Sequence, residues 1–308
     1  MKDSTGAEAI EILVRETSYY YDNNGNQTTQ NASYRKPIST EQPEHALNVD
    51  AEGETTFSNA IELVVNKYDG FNRLQKVESI KKGLKTIVEF AYNGDDLRTS
   101  KTVKKSNNNY QPEVTMYYYD RQHVIVETND SGSIQARYVR GINYIARIGN
   151  DNHQSYYLYN GHGDVVQTVA ENGTVENQYD YDIFGNPILT VEEGGYSNAI
   201  RYSGEFYDQE TGLYYLRARY YDSYTGRFVS EDSYWGEDSN PLSLNLYTYC
   251  ENDPVDFIDP SGHGKVWNDY GEVIGTCDGD DYTVHGKEGT DIHGGGDQAN
   301  KPYCRTAL

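Results

Sequence analysis

The chain has 308 residues, enough to bury a sizeable core, since chains of this size hide about three quarters of their unfolded surface. Its 31 tyrosines and 29 glycines point to a β-rich, turn-rich fold, and a formal net charge of −22 spread along the chain excludes generic binding to phosphate backbones. Cys250, Cys277 and Cys304 are too few for a disulfide framework, and no run approaches the roughly 18 apolar residues of a membrane-spanning helix.

The start, "MKDSTGAEAI", has no basic region followed by an apolar stretch, so no signal peptide is visible. If the protein is exported, it uses another route or these residues belong to a longer chain. The first patterned element is "YYYDNNGNQT", with Tyr21-Asp22 at its centre. Residues 23–60 then read as polar and irregular, either an inserted loop or a degraded repeat. Helix signals are almost absent, and the best stretch, "EQPEHALNVDAEG", is short and broken by proline.

From there one theme recurs. Tyrosine followed by Asp or Asn stands at Tyr68-Asp69, Tyr92-Asn93, Tyr119-Asp120, Tyr159-Asn160, Tyr181-Asp182, Tyr207-Asp208 and Tyr221-Asp222. Several of these are separated by roughly 25 residues, a spacing within the range that marks repeat architectures. Each unit has a mechanical reading. An alternating strand ends in tyrosine, the Asp or Asn side chain caps the following turn, and a glycine supplies positive φ. A second strand follows, as in "RLQKVESI" or "VVQTVAENG", so each unit predicts a β-hairpin. One hairpin cannot bury its apolar face alone, so the units are expected to stack into a long sheet. Tyrosine runs such as "SYYLY" and "QYDYD" predict interior packing rather than a sugar-stacking surface. His162 and Asp164, in "YNGHGDVV", predict a hydrogen-bonded turn.

Near the end the theme stops at "PVDFIDPSGHGK". Asp259 sits between an apolar strand and Pro260. Asp232 follows "GRFVSE", another strand end. Alternation puts Arg217 and Arg219 of "RARYYD" on one face, where they need carboxylate partners. Two adjacent carboxyls with an arginine can split their pKa values and cut a peptide bond, the ionised one activating water and the neutral one protonating the amide. The ordinary alternative is that Asp259 caps a turn and Arg219 pairs with Asp232 in a structural ion pair.

The stretch "YSGEFYDQETGLYYLRARYYDSYTGRFVSEDSYWG", followed by "LNLYTYCENDPVDFIDPSGH", resembles the associated core region of the RHS/YD-repeat family. The earlier units, over about 60–200, resemble its repeats. The resemblance implies a mainly β fold, with stacked YD-repeat hairpins forming part of a spiral β-sheet shell closed by the core region. It divides the chain into a segment 1–60 with one YD unit, repeats over 61–199, the core over 200–263, and a variable tail over 264–308.

It also implies a job. Bacterial members enclose a C-terminal segment, often a toxin, and release it by self-cleavage, whereas animal relatives use similar shells in adhesion. Asp259 matches the aspartate of the family's DPxG, Asp232 that of GRFxSxD, and Arg219 the second arginine of RARYYD. These three are thereby implied as an aspartyl-protease-like site, with the cut between His263 and Gly264 in a single turnover. His263 stands where the family usually has leucine, and "GEDSN" lengthens the link to "LNLY". Implied partners are the rest of the shell, in the same or a separate chain, its C-terminal cargo, and export machinery or an immunity protein. The implied location is secreted or cell-surface. The alternative is a non-catalytic adhesion module that binds carbohydrate or protein.

In the tail, His285, His293, Cys277 and Cys304 have spacings that match no ordinary metal-ligand pattern, so neither metal nor cofactor is expected. "CDGDDYTVHGKEG" lacks the spacing of a calcium loop and predicts a hairpin turn. The tail itself reads as a remnant or the start of an effector region.

Overall fold

The computed structural model describes residues 14–35, 62–192, 195–236, 238 and 240–264, together with the backbone of short strands beyond 265. Fourteen strands form one antiparallel sheet in which every strand pairs with its neighbours in sequence. They are β1 (Val14–Tyr21), β2 (Gln27–Arg35), β3 (Glu62–Tyr68), β4 (Leu74–Lys81), β5 (Leu84–Tyr92), β6 (Arg98–Lys105) and β7 (Glu113–Asp120). The meander continues through β8 (His123–Thr128), β9 (Ile134–Arg140), β10 (Tyr144–Gly149), β11 (Gln154–Tyr159), β12 (Val165–Ala170), β13 (Val175–Tyr181) and β14 (Pro187–Glu192). Within the stretch read as irregular, Gln27–Arg35 is thus a full strand, pairing with both β1 and β3. The weak helix signal around residue 45 lies outside the described residues. Among the described residues the sheet does not close on itself, and β1 and β14 are its two edge strands.

The tyrosine pairs recur because they share one geometry. Asp22, Asp69, Asn93, Asn160 and Asp182 each accept two backbone N–H bonds through Oδ1, from the residues two and four places on. This caps the turn as the sequence suggests. At each of these hairpins the register slips at the tyrosine, a bulge that bends the strand. The bend aims the hydroxyl at an earlier hairpin. Tyr92 donates to the Leu74 carbonyl at 2.5 Å, Tyr119 to Arg98 at 2.7 Å, Tyr159 to Tyr144 at 2.7 Å and Tyr181 to Val165 at 2.8 Å. Each such bond contributes on the order of 1 kcal/mol net and satisfies a hydroxyl that burial would otherwise strand. Asp120 departs from the pattern. It stays in the ladder opposite His123, and the turn is the pair Arg121-Gln122.

In a meander the turns alternate between the two ends of the strands, so all the tyrosine-marked turns lie along one end. That end carries the second part of the fold, a four-stranded sheet of β15 (Phe206–Asp208), β16 (Leu213–Leu216), β17 (Arg219–Asp222) and β18 (Arg227–Phe228). Phe206, Leu213, Tyr215, Tyr220 and Val229 share a core with Val77, Val88, Phe90, Tyr117, Tyr157 and Tyr179 of the large sheet. Burying such side chains contributes roughly 1.5–3 kcal/mol apiece. Hydroxyls make the polar contacts. Tyr214 donates to Gly185 O, Tyr221 to Phe184 O, Tyr202 to Ile183 O and Tyr247 to Gly25 O. Asp164 accepts from His162 and from the Ser203 N–H, so that turn too is seated on the small sheet. In the runs read as interior packing, alternate tyrosines are so placed: Tyr157 and Tyr179 are buried, and Tyr159 and Tyr181 pack partly buried against the same core.

Beyond the small sheet, β19 (Phe257–Ile258) leads to residue 264, and β20 (Val266–Asp269) returns to pair with it. Further strands are β21 (Glu272–Val273), β22 (Gly275–Asp278), β23 (Asp281–His285) and β24 (Asp291–Gly295). β22 and β23 form the hairpin expected of "CDGDDYTVHGKEG". The side chains of Cys277, His285, His293 and Cys304 lie outside the described residues. Cys250 is buried and forms no disulfide among the described residues. Among the described residues no helix is long and apolar enough to cross a membrane, and no group of His, Cys, Asp or Glu could hold a metal.

Candidate active site

The site is built on the turn between β16 and β17. Leu216 pairs with Arg219, so Arg217 and Ala218 form a two-residue turn, with Arg217 at φ 56°. The strand alternation expected across Arg217 and Arg219 is therefore interrupted, because the chain reverses between them. Both guanidiniums nevertheless grip the same segment. Arg217 Nη1 donates to the Pro260 carbonyl at 2.7 Å and pairs with Glu205, while Arg219 Nε donates to the Gly262 carbonyl. The Ala218 N–H adds a bond to Ser261 O at 3.2 Å. The segment 259–264 is thus clamped across this turn.

Gly262 makes the clamp possible. It sits at φ 79°, and a Cβ there would collide with the Leu216 carbonyl oxygen and stand 3.0 Å from the Arg219 nitrogen. We expect Gly262→Ala to lower stability by at least about 1–2 kcal/mol from backbone strain alone, read as a lower urea midpoint. An unchanged midpoint would show that the turn relaxes freely.

The structure brings Asp232, Asp259 and Arg219 together. Arg219 is buried under the Phe228 ring, its guanidinium carbon 3.7 Å from the ring centre. Its Nη2 lies 2.6 Å from Asp232 Oδ2 and 3.8 Å from Asp259 Oδ2, and its Nη1 donates to Leu246 O at 2.9 Å. The two carboxyls therefore meet across one guanidinium nitrogen, with neither a direct hydrogen bond nor a filled apolar layer between them.

Asp259 is 3 % exposed, and its Oδ1 accepts from Gly262 N at 2.8 Å, Gly264 N at 3.2 Å and Ser261 Oγ at 3.3 Å. Burial pushes its pKa up; Arg219 and the two backbone donors oppose the rise, and Asp232 adds to it. The same burial pulls the pKa of Arg219 down, against the pull of Asp232 and Asp259.

Asp232 is positioned by its own N–H, which donates to Leu246 O at 3.0 Å. Its Oδ1 accepts from Tyr234 N at 3.0 Å and stands 3.2 Å from His263 Nδ1. His263 and Asp232 line a cavity of about 700 Å³ between the small sheet and the turns around Asn72, Asp96 and Arg121. The residue before the expected cut, His263, therefore faces that cavity.

One further group, Glu205, had no signal of its own in the sequence; it is the carboxylate partner of Arg217. Glu205 is buried, which raises its pKa, and Arg217 counters that rise. Burial works against the charge of Arg217, yet Glu205 more than offsets it and the pKa stands above the ordinary arginine value. The pair braces the clamp. Nothing in "YSGEFYD" ties a glutamate to an arginine twelve positions on, because their meeting depends on β15 and β16 lying side by side.

No family model matches the chain. Over 248 residues it is 34% identical to the tRNA3(Ser)-specific nuclease WapA of Bacillus spizizenii, an alignment covering 79% of this chain and 10% of that protein. A shorter match, 43% over 67 residues, joins it to the toxin protein Tse5 of Pseudomonas aeruginosa, covering 20% of this chain and 4% of the toxin. The chain thus spans no more than about a tenth of the length of these curated relatives. Among solved structures, a TccC3 variant of the Photorhabdus luminescens Tc holotoxin pore superposes with a TM-score of 0.53 at 22% identity, over 86% of this chain and 13% of that one. A meander of tyrosine-tethered hairpins, carrying a small buried sheet along one end and resembling these toxin proteins, gives this chain an RHS-repeat-like fold.

Proposed function

We propose that this chain is the C-terminal part of a toxin-type RHS shell, and that its core cuts its own backbone once, between His263 and Gly264. The shell's other parts and the released segment are its partners, and the assembly acts outside the cell or at its surface. The observation that carries the reading is the placement of the Gly264 nitrogen 3.2 Å from the carboxyl of Asp259, a buried acid whose pKa is raised.

Neutral Asp259 is then the proton donor to the leaving nitrogen, and Asp232, paired with Arg219, is the base for water. Water oxygen bonds to the His263 carbonyl carbon, Asp232 takes the water proton, and the carbon–nitrogen bond breaks as Asp259 protonates Gly264 N. The products are a carboxyl at His263 and an amine at Gly264. Arg219 and Arg217 keep the scissile segment in register throughout by gripping the Gly262 and Pro260 carbonyls. Activity ends with that single turnover.

The test is the intact mass of freshly purified chain under denaturing conditions. A species ending at His263, with a partner beginning at Gly264, supports the reading. A single uncut mass at every time and pH sinks it.

The pH dependence has a definite sign. The donor is the protonated form of Asp259, and burial raises its pKa, so the donor persists above the ordinary carboxyl range. Once pH passes that raised value, cleavage should fall about tenfold per unit. A rate that climbs with pH across this limb would remove Asp259 from the donor role.

A further inference from the structure

We infer that His263 holds the site latent by covering Asp232, the carboxylate that has to receive the proton of water. This rests on the cleavage reading above and adds a regulatory role for the residue that supplies the scissile carbonyl.

Among the described residues, three groups engage the oxygens of Asp232. The Tyr234 N–H donates to Oδ1 at 3.0 Å, His263 Nδ1 stands 3.2 Å from the same oxygen, and Arg219 Nη2 lies 2.6 Å from Oδ2. Two of the three are fixed, one being backbone and the other a buried guanidinium whose Nε and Nη1 are committed to the Gly262 and Leu246 carbonyls. The third is a side chain 41 % exposed on the wall of the cavity beside Asp232. A base can accept a proton from water only through an oxygen that water reaches. The imidazole occupies that approach and can swing away about its own torsions without disturbing the clamp, because the backbone of 259–264 is held by Arg217, Arg219 and Ala218. The His263 N–H donates to Ser261 Oγ at 3.2 Å, which holds the backbone of His263 beside Asp232 while the ring turns. Cleavage therefore waits on rotation of one side chain.

The experiment compares the parent with His263→Leu and His263→Asn, each with and without Asp232→Asn. Full-length chain is made by cell-free synthesis, sampled into denaturant over time and read by intact mass. Leucine keeps bulk but offers no nitrogen, and asparagine keeps a nitrogen donor at similar reach. His263→Leu should cut about tenfold faster than the parent, the factor of one lost charge-assisted hydrogen bond, and His263→Asn should be slower than His263→Leu. If His263→Leu cuts no faster, or His263→Asn matches it, while Asp232→Asn still stops the parent, the covering role is wrong and the cleavage reading stands. If no variant cuts, or cutting survives Asp232→Asn, the cleavage reading fails and takes this inference with it.

Discussion

Asp259→Asn is expected to leave the chain at full mass, and Asp232→Asn to do the same. Loss of a general acid or base costs about 10²–10⁴-fold in rate. The two losses should not multiply, because both groups serve one transition state. The substitutions are nearly isosteric. Asp259→Asn keeps an oxygen for the Gly262 and Gly264 N–H groups, so the clamp persists while the transferable proton disappears. Asp232→Asn keeps an acceptor for Arg219, but an amide is too weak a base for water. Urea midpoints close to the parent would show that chemistry, not folding, was removed. A product ending at His263 in either variant would overturn the dyad.

The second large effect is on stability. Asp208→Ala should lower it by about 3–5 kcal/mol, the usual consequence of stranding a buried charge. Asp208 lies on β15 and pairs with Arg98 of β6, 1 % exposed, and with Lys101 at 3.0 Å. The rings of Tyr215 and Tyr117 lie 4.4 Å and 4.7 Å from the Arg98 guanidinium carbon. These rings ease the charge but do not replace an anion. Burial alone would raise the pKa of Asp208, yet Arg98 and Lys101 outweigh it and hold the carboxyl below its ordinary value. The pair spans the junction of large and small sheets, so its loss should loosen both and be read as a single, lower urea transition. A shift under about 1 kcal/mol would mean that water enters to solvate Arg98.

Much of this architecture is written in local chemistry. Tyr-Asp and Tyr-Asn mark hairpins because the acidic or amide oxygen closes its own turn within four residues, an interaction that does not depend on the rest of the fold. The turn between β9 and β10, "RGINY", lacks the mark although it lies at the same end of the sheet, and nothing local reveals it. Nor does the strand Gln27–Arg35 alternate clearly between apolar and polar residues; its pairing with β1 and β3 supplies what its own pattern lacks.

At the site, Asp259, Asp232 and Arg219 could be named from strand ends and motif match. Their linkage through one guanidinium nitrogen could not, since it depends on where the β16–β17 turn meets the incoming segment. The same holds for Glu205 as the brace of Arg217, and for His263 as a neighbour of Asp232. Such contacts join residues distant in sequence, and spacing carries no information about them.

The tyrosine tethers have a bearing on how such a sheet is made. From Tyr92 to Tyr181 each hydroxyl is handed to a carbonyl that precedes it in the chain. Tyr68 does this too, and also reaches forward to the carbonyl of Val229 in the core. A hairpin leaving the ribosome thus finds its fastening point already synthesised, and the strip can set hairpin by hairpin in the order of translation. The forward bond of Tyr68 is left to the end, when the small sheet arrives and the first hairpins are finally locked.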